Sequence, residues 1–126
     1  MRRKPTALAL AVALAAAFAA CGESDQEQAR EVAQDYVEAS NEGDFEAVCE
    51  LYSQQFIEEL GVGDCAAFVE ENSSGAESEL ELVDVRARED VATADIDIVS
   101  EGGGPIRVGL RMELNDADEW EIVSLQ

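Results

Sequence analysis

From Pro105 to Leu114 hydrophobic and polar positions alternate without a break. Ile106, Val108, Leu110, Met112 and Leu114 point to one side, and Arg107, Gly109, Arg111 and Glu113 to the other. A period of two over that length predicts a β-strand with one buried face. The same period runs through residues 91–99, where Ala92, Ala94, Ile96 and Ile98 oppose Thr93, Asp95 and Asp97. Further strands are predicted over 80–87 and 120–125. In the first of these Leu80 and Leu82 are out of phase with Val83, Val85 and Ala87, which predicts a bulge near Leu82. Gly102-Gly103-Gly104 and residues 115–119 supply turns.

Upstream of the strands the period lengthens to 3.6. Ala29, Val32, Ala33, Tyr36 and Val37 share one face of a helix over 26–40, with Glu31, Gln34, Asp35 and Glu38 opposite. Gly43 ends it and Asp44 caps the next, which turns Phe45, Val48, Cys49 and Tyr52 to one side. Its continuation through Phe56, Ile57 and Leu60 is either the same helix bent or a second one after Ser53. Asp64 caps a short helix over 65–71, with Cys65, Ala66 and Val69 inward, and 72–78 reads as a loop. Helical pieces followed by four antiparallel strands predict an α+β domain with helices on one face of the sheet.

One register satisfies the central strands. Pairing Ile98 with Ile106 sets Ile96 by Val108, Ala94 by Leu110 and Ala92 by Met112, and brings Asp97 opposite Arg107 on the other face. Pairing Leu114 with Trp120 sets Met112 by Ile122, at the cost of Glu113 opposite Glu121.

The N-terminal segment follows a different logic. Arg2, Arg3 and Lys4 precede an apolar run over 7–20 that ends at Cys21, the layout of an export signal. The run is shorter than the roughly 20 residues a spanning helix needs. Phe18-Ala19-Ala20-Cys21 resembles the lipobox of bacterial lipoproteins, with phenylalanine in place of the usual leucine. That resemblance implies a signal peptide over 1–20, a diacylglycerol on the Cys21 thiol and a lipid-anchored protein on the extracytoplasmic face of the cell membrane. Acyl chains contribute about 0.8 kcal/mol per buried methylene, enough for a lasting anchor when several are present. Residues 21–28 then read as an acidic tether and 29–126 as the single folded domain.

The whole chain carries a formal charge of −21. Without the leader, 29 acids face 5 arginines and no lysine. Such a surface repels phosphate backbones, so nucleic acid is excluded as a partner. Solubility is the leading explanation of the charge, since like-charge runs are usually solvated faces, and a specific cationic partner is the alternative. Beyond Cys21, Cys49 and Cys65 remain, and an even pair in an exported chain suggests a disulfide, with two buried thiols as the competing reading. Two cysteines in a chain without histidine make a poor zinc set.

The amphipathic first helix ending at Asn41-Glu42-Gly43-Asp44, the aromatic Phe45 and the closing strand Glu119-Trp120-Glu121-Ile122 together resemble the nuclear transport factor 2-like superfamily. This conical α+β fold also includes SnoaL-like cyclases and ketosteroid isomerase. More closely the chain resembles small exported actinobacterial lipoproteins of that fold. The resemblance implies a pocket between the helices and the concave sheet face, and the fold hosts enzymes and binding modules alike.

The expected pocket lining is Tyr36, Tyr52, Phe56, Leu110, Met112, Trp120 and Ser124, of which Ser124 is the one polar position from the last three strands. With no histidine and no inward carboxylate, catalysis is not expected. No metal or cofactor is expected either; the acidic turn over 115–119 lacks the glycine and spacing of an EF-hand. The leading expectation is an anchored binding or interaction domain that takes a small apolar ligand or an envelope protein. A cyclase- or isomerase-like enzyme is the alternative. The outer sheet face around Gly109, Val123 and Leu125 offers a route to a homodimer.

Overall fold

Ser24 accepts a hydrogen bond from the Glu27 backbone N–H (3.2 Å) and starts helix α1, Asp25–Glu42. The computed structural model describes residues 24–73 and 78–126; the signal segment and Cys21 lie outside the described residues. Because α1 begins at Asp25, the last part of the expected tether is its first turn. The Gln26 side chain explains the difference. Its carboxamide donates to the Val85 carbonyl and accepts from the Ala87 N–H (2.8 Å), which fixes this turn to a strand far along the chain. The helix ends where expected, at Gly43 with φ 75°, a conformation that glycine adopts without steric cost.

Asp44 caps α2, Phe45–Leu51, through the Ala47 N–H. The stretch left open by the sequence is two helices, since α3, Gln54–Leu60, is separate. Tyr52 and Ser53 are extended between them, and the Ser53 N–H donates to the Ile122 carbonyl (2.8 Å) while its hydroxyl caps α3. Asp64 caps α4, Cys65–Glu71. Among the described residues no helix is long and apolar enough to cross a membrane.

Four antiparallel strands follow, β1 (Ser78–Arg88), β2 (Val91–Ser100), β3 (Ile106–Leu114) and β4 (Trp120–Leu125), in spatial order β1-β2-β3-β4. The β2–β3 register is the one expected, from Ile98↔Ile106 to Ala92↔Met112. The bulge in β1 falls between Leu82 and Asp84, leaving Val83 as the extra, exposed residue. Both edge strands of the sheet have part of their outer backbone engaged, which blunts a free edge. On the β1 edge the Asn41 carboxamide makes a two-way bond with the Leu80 backbone (2.8 and 3.0 Å) and Gln26 does the same further along. On the β4 edge the backbone of Tyr52 and Ser53 pairs with Ile122.

A second bulge corrects the reading of β4. Leu114↔Trp120 and Met112↔Ile122 pair as expected, but the next pairs are Arg111↔Ser124 and Leu110↔Leu125, so Val123 is inserted. The extra residue reverses the phase of everything after it. Ser124 therefore joins Arg111 on the outer face and is no part of the inner lining, while Leu125 joins Leu110 on the inner side and leaves the outer patch around Gly109. Ile106, expected inside, lies at the strand's open end and is 61% exposed.

Carboxylates crowd the outer face, and arginines bridge them. Arg86 reaches both Asp84 (2.9 Å) and Asp95 (3.0 Å), which face each other across β1 and β2. Arg107 meets Asp97, and Arg111 lies 3.4 Å from Glu113, which offsets the Glu113–Glu121 pairing. Hydrogen bonds from Arg86 and Arg107 hold the Asp95 and Asp97 carboxyls below the usual carboxylate range.

The inner face and α1 form the core. Ala29, Ala33, Val48, Ala94, Ile96, Met112 and Ile122 are fully buried, with Leu110 and Val85 nearly so. Helices on one face of a curved antiparallel sheet make the domain α+β, as expected.

Candidate functional site

The sheet pairings arrange its inner face in cross-strand rows. Ala87, Ala92, Met112 and Ile122 form one, Val85, Ala94, Leu110 and Leu125 the next, then Leu82, Ile96 and Val108, and finally Leu80, Ile98 and Ile106. Gln26 ties the start of α1 beside the first two rows, and Asn41 ties its end beside the last. Over the first rows α1 presents Ala29 and Ala33, which are fully buried and whose small side chains permit close approach. Towards the other end it presents Tyr36 and Ser40, the sheet presents Ile98 and Val108, and the two layers part.

The gap is a cavity of ≈ 240 Å³. Tyr36 and Ser40 come from α1, Phe45 from α2 and Tyr52 from its C-terminal end. Phe68, Val69, Asn72 and Ser73 come from α4 and its exit, and the sheet adds Ser78, Leu80, Ile98, Val108 and Leu125. None of these residues is an Asp, Glu, Arg or Lys. In a chain of which 29% is charged, that is a pronounced exclusion.

The Tyr36, Tyr52 and Ser40 side chains gather at one end of the cavity. Burial raises both phenols above the ordinary value of 10.0, Tyr52 the further because the neighbouring Tyr36 phenol disfavours a negative charge beside it. Both therefore stay neutral at any physiological pH. Other polar groups of the wall are engaged locally, with the Asn72 amide donating to the Phe68 carbonyl (2.8 Å) and the Ser73 hydroxyl to that of Glu70 (2.9 Å).

The wall made by α4 is held differently from the rest. No residue of α4 is fully buried and its main neighbour is α2, to which the Cys49–Cys65 disulfide joins it. The bond closes a loop of 16 residues and constrains the unfolded chain by about 3 kcal/mol in the chain-entropy picture. The expected pairing of these cysteines is present.

The residues expected to line one pocket are distributed over several places. Tyr36 and Tyr52 line the cavity. Leu110 and Met112 are packed solid in the core. Phe56 stacks edge-on against Tyr52 (centroids 4.9 Å apart) and lines a separate groove of ≈ 230 Å³ with Arg111, Glu113 and Ser124. Trp120 lines a third groove of ≈ 380 Å³, between α1, α2 and the β3–β4 turn, where Glu31, Glu50, Asp118, Glu119 and Glu121 gather. Its indole N–H is buried without a hydrogen-bond partner, the one such side-chain atom among the described residues. In the adjoining turn the Asn115 carboxamide oxygen accepts from the N–H groups of Ala117 (2.8 Å) and Glu119 (3.0 Å), so it serves the backbone of the turn.

Sequence reasoning missed Phe45 and Phe68 as wall residues and Leu125 as part of the cavity mouth. Phe68 lies three residues after Cys65, one helical turn from the disulfide, and that spacing was the available signal.

Comparison with solved structures agrees with the architecture. A nuclear transport factor 2-like protein of unknown function from Shewanella baltica OS155 superposes with a TM-score of 0.57 at 17% identity, covering 78% of this chain and 87% of that one. Another of the same description, from Silicibacter pomeroyi DSS-3, gives 0.51 at 16% identity over 78% of this chain and 89% of that one. The fold is thus nuclear transport factor 2-like. No protein-family model and no curated protein matches the sequence.

Proposed function

We propose that this chain is a binding domain, carried on a lipid anchor at the extracytoplasmic face of the cell membrane, that receives a small molecule in the cavity between α1 and the sheet. The observation that carries the reading is a cavity whose described lining is uncharged and partly apolar, inside a protein whose surface is dense in carboxylates. Its volume lies just below the ~300–1,000 Å³ typical of drug-sized ligand sites, so the occupant is small. Catalysis is no part of the reading. A proton-transfer enzyme of the isomerase kind needs a base within reach of its substrate, and among the described residues the two neutral phenols are the only titratable groups that line the cavity.

The anchor rests on the basic leader, the apolar run and Cys21, together with a disulfide that suits an oxidising compartment. Two experiments test the proposal. Native mass spectrometry of the full-length protein, purified gently from its source membrane, is expected to reveal a bound small molecule that is lost from a Val108→Trp variant with a filled cavity; equal retention by the variant would overturn the cavity assignment. Labelled fatty acid is expected in the wild type and absent from Cys21→Ser; unchanged labelling would remove the anchor.

A further inference from the structure

A second surface, apart from the cavity, runs between the first two helices. Along α1, Glu31, Val32, Asp35, Glu38, Ala39 and Glu42 recur with helical spacing and form one stripe. It faces Asp44, Ala47, Glu50 and Leu51 across two grooves of ≈ 380 and ≈ 270 Å³. Glu50 and Leu51 line both grooves, so the two run on as one furrow, and it shares no residue with the cavity. Val32, Ala39, Ala47 and Leu51 make a buried or half-buried apolar floor, while the carboxylates of both rims are exposed.

Charge is balanced on the outer sheet face and not here. There Arg86, Arg107 and Arg111 each reach a carboxylate. No arginine lines the furrow, and none of Asp35, Glu38, Glu42, Glu50, Asp118 and Glu119 forms an ion pair among the described residues. Asp35 with Glu38, and Glu38 with Glu42, are like charges about one turn apart, which weakens a helix. Glu42 lies in the last turn of α1, where the negative end of the helix dipole disfavours an acid and no basic residue offsets it. Local violations of this kind collect at functional sites.

Two features select the kind of cation. No three carboxylates among the described residues converge closely enough to hold one metal ion, so the negative charge is drawn out along a line. At the wider end Trp120, 5% exposed, forms part of the wall, and its buried indole N–H has no acceptor. A polyamine brings positive charge without an acceptor. A peptide brings both, in basic side chains and backbone carbonyls. The stripe on α1 is about 17 Å long at 1.5 Å per residue, a distance that about five extended residues cover. Successive side chains of an extended chain point to opposite sides, and the furrow is acidic on both.

We infer that the α1–α2 furrow is a docking site for an extended basic segment of a partner protein, about five residues long and with Arg or Lys at successive positions. The cationic heads lie on the two rims, their hydrocarbon stems on Val32 and Leu51, and a backbone carbonyl accepts from the Trp120 indole.

Trp120 is the chain's only tryptophan, so its fluorescence reports on the furrow. Full-length protein in about 0.1 M salt is titrated with a blocked pentapeptide of alternating Arg and Lys, with spermine and with calcium ion. The peptide is expected to shift the Trp120 emission saturably, at lower concentration than spermine or calcium. The triple variant Asp35→Asn, Glu38→Gln, Glu50→Gln is expected to bind the peptide about tenfold more weakly, the combined effect of three exposed ion pairs. A control with the same change of net charge, Glu79→Gln, Glu81→Gln, Glu101→Gln, is expected to stay within about threefold of the wild type, because screening confines the effect of distant charges. The furrow variant should melt at or above the wild-type temperature, since like charges are removed from α1. Equal weakening in the two variants would reduce the attraction to bulk charge and overturn the site. Spermine or calcium acting at lower concentration than the peptide would give the furrow to a small cation and overturn the peptide partner, as would the lack of any saturable shift. A furrow variant that melts lower would assign these carboxylates to the fold and overturn the inference as well. None of these outcomes bears on the cavity.

Discussion

The two ends of the space between α1 and the sheet are built from the same elements and behave oppositely. At the end held by Gln26, alanines at positions 29 and 33 let the helix settle into one buried core with Ala92, Ala94, Met112 and Ile122. At the end held by Asn41, Tyr36 and Ser40 stand over Ile98 and Val108, and the layers part around ≈ 240 Å³. The contrast shows how a short chain can fold stably and keep a cavity. Burial is concentrated in one half, side-chain amides pin both ends of the helix to β1, and a disulfide secures the wall that burial does not.

The comparison breaks most severely where burial is complete. Ile122→Ala is expected to cost about 2–5 kcal/mol in denaturant unfolding, the range for a large-to-small change at a fully buried site. Val108→Ala, beside the cavity, is expected to cost about 1 kcal/mol or less, because its side chain is only half-buried. Equal losses would erase the distinction between the two ends.

Reduction of Cys49–Cys65, or the double change to serine, is expected to lower stability by about 3 kcal/mol. It should also raise amide exchange in α4 well before exchange rises in β2 or β3. Exchange that rises uniformly would show α4 to be held by packing after all.

Adding the same bulk at both ends sharpens the contrast. Ala33→Leu is expected to destabilise by about 1–3 kcal/mol through overpacking, whereas Ser40→Leu extends into the cavity and is expected to leave the unfolding midpoint nearly unchanged while closing the site to a small apolar probe, ethylbenzene. A smaller effect belongs to alkaline pH. Both tyrosines have folded-state pKa values above the ordinary 10.0. In that range the unfolded chain holds fewer protons than the native one, so their contribution to stability is complete below pH 10 and falls as the pH rises beyond it. Tyr52→Phe should flatten that decline, and an unaltered pH profile would contradict the burial of its hydroxyl. Least of all is expected from Arg107→Ala: its pair with Asp97 is solvent-exposed, and screening leaves such pairs with little net effect on a melting curve.

Much of this was legible in the sequence because several local signals agreed. The β2–β3 register aligned apolar partners and an ion pair at once, and Gly43, Asp44 and Asp64 marked helix ends by chemistry that acts within a few residues. The bulge at Val123 was hidden because Ile122, Val123 and Leu125 are apolar in both phases, so alternation could not reveal the slip. The break at Tyr52–Ser53 depends on the Ile122 carbonyl, and the extension of α1 back to Asp25 depends on Gln26 reaching β1. Both are set by contacts distant in sequence. The cavity lining scattered for a similar reason: which inward residues meet empty space is decided by how the helices pack over the sheet, and a pattern of inward positions carries no information about that packing.

The most direct test of the difference between the two ends is the methyl NMR spectrum of the protein titrated with ethylbenzene. The account predicts saturable shifts at Leu80, Ile98, Val108 and Leu125, with Ile96, Leu110 and Ile122 almost still. Shifts centred on Ile96, Leu110 and Ile122, or none at either end, would contradict it.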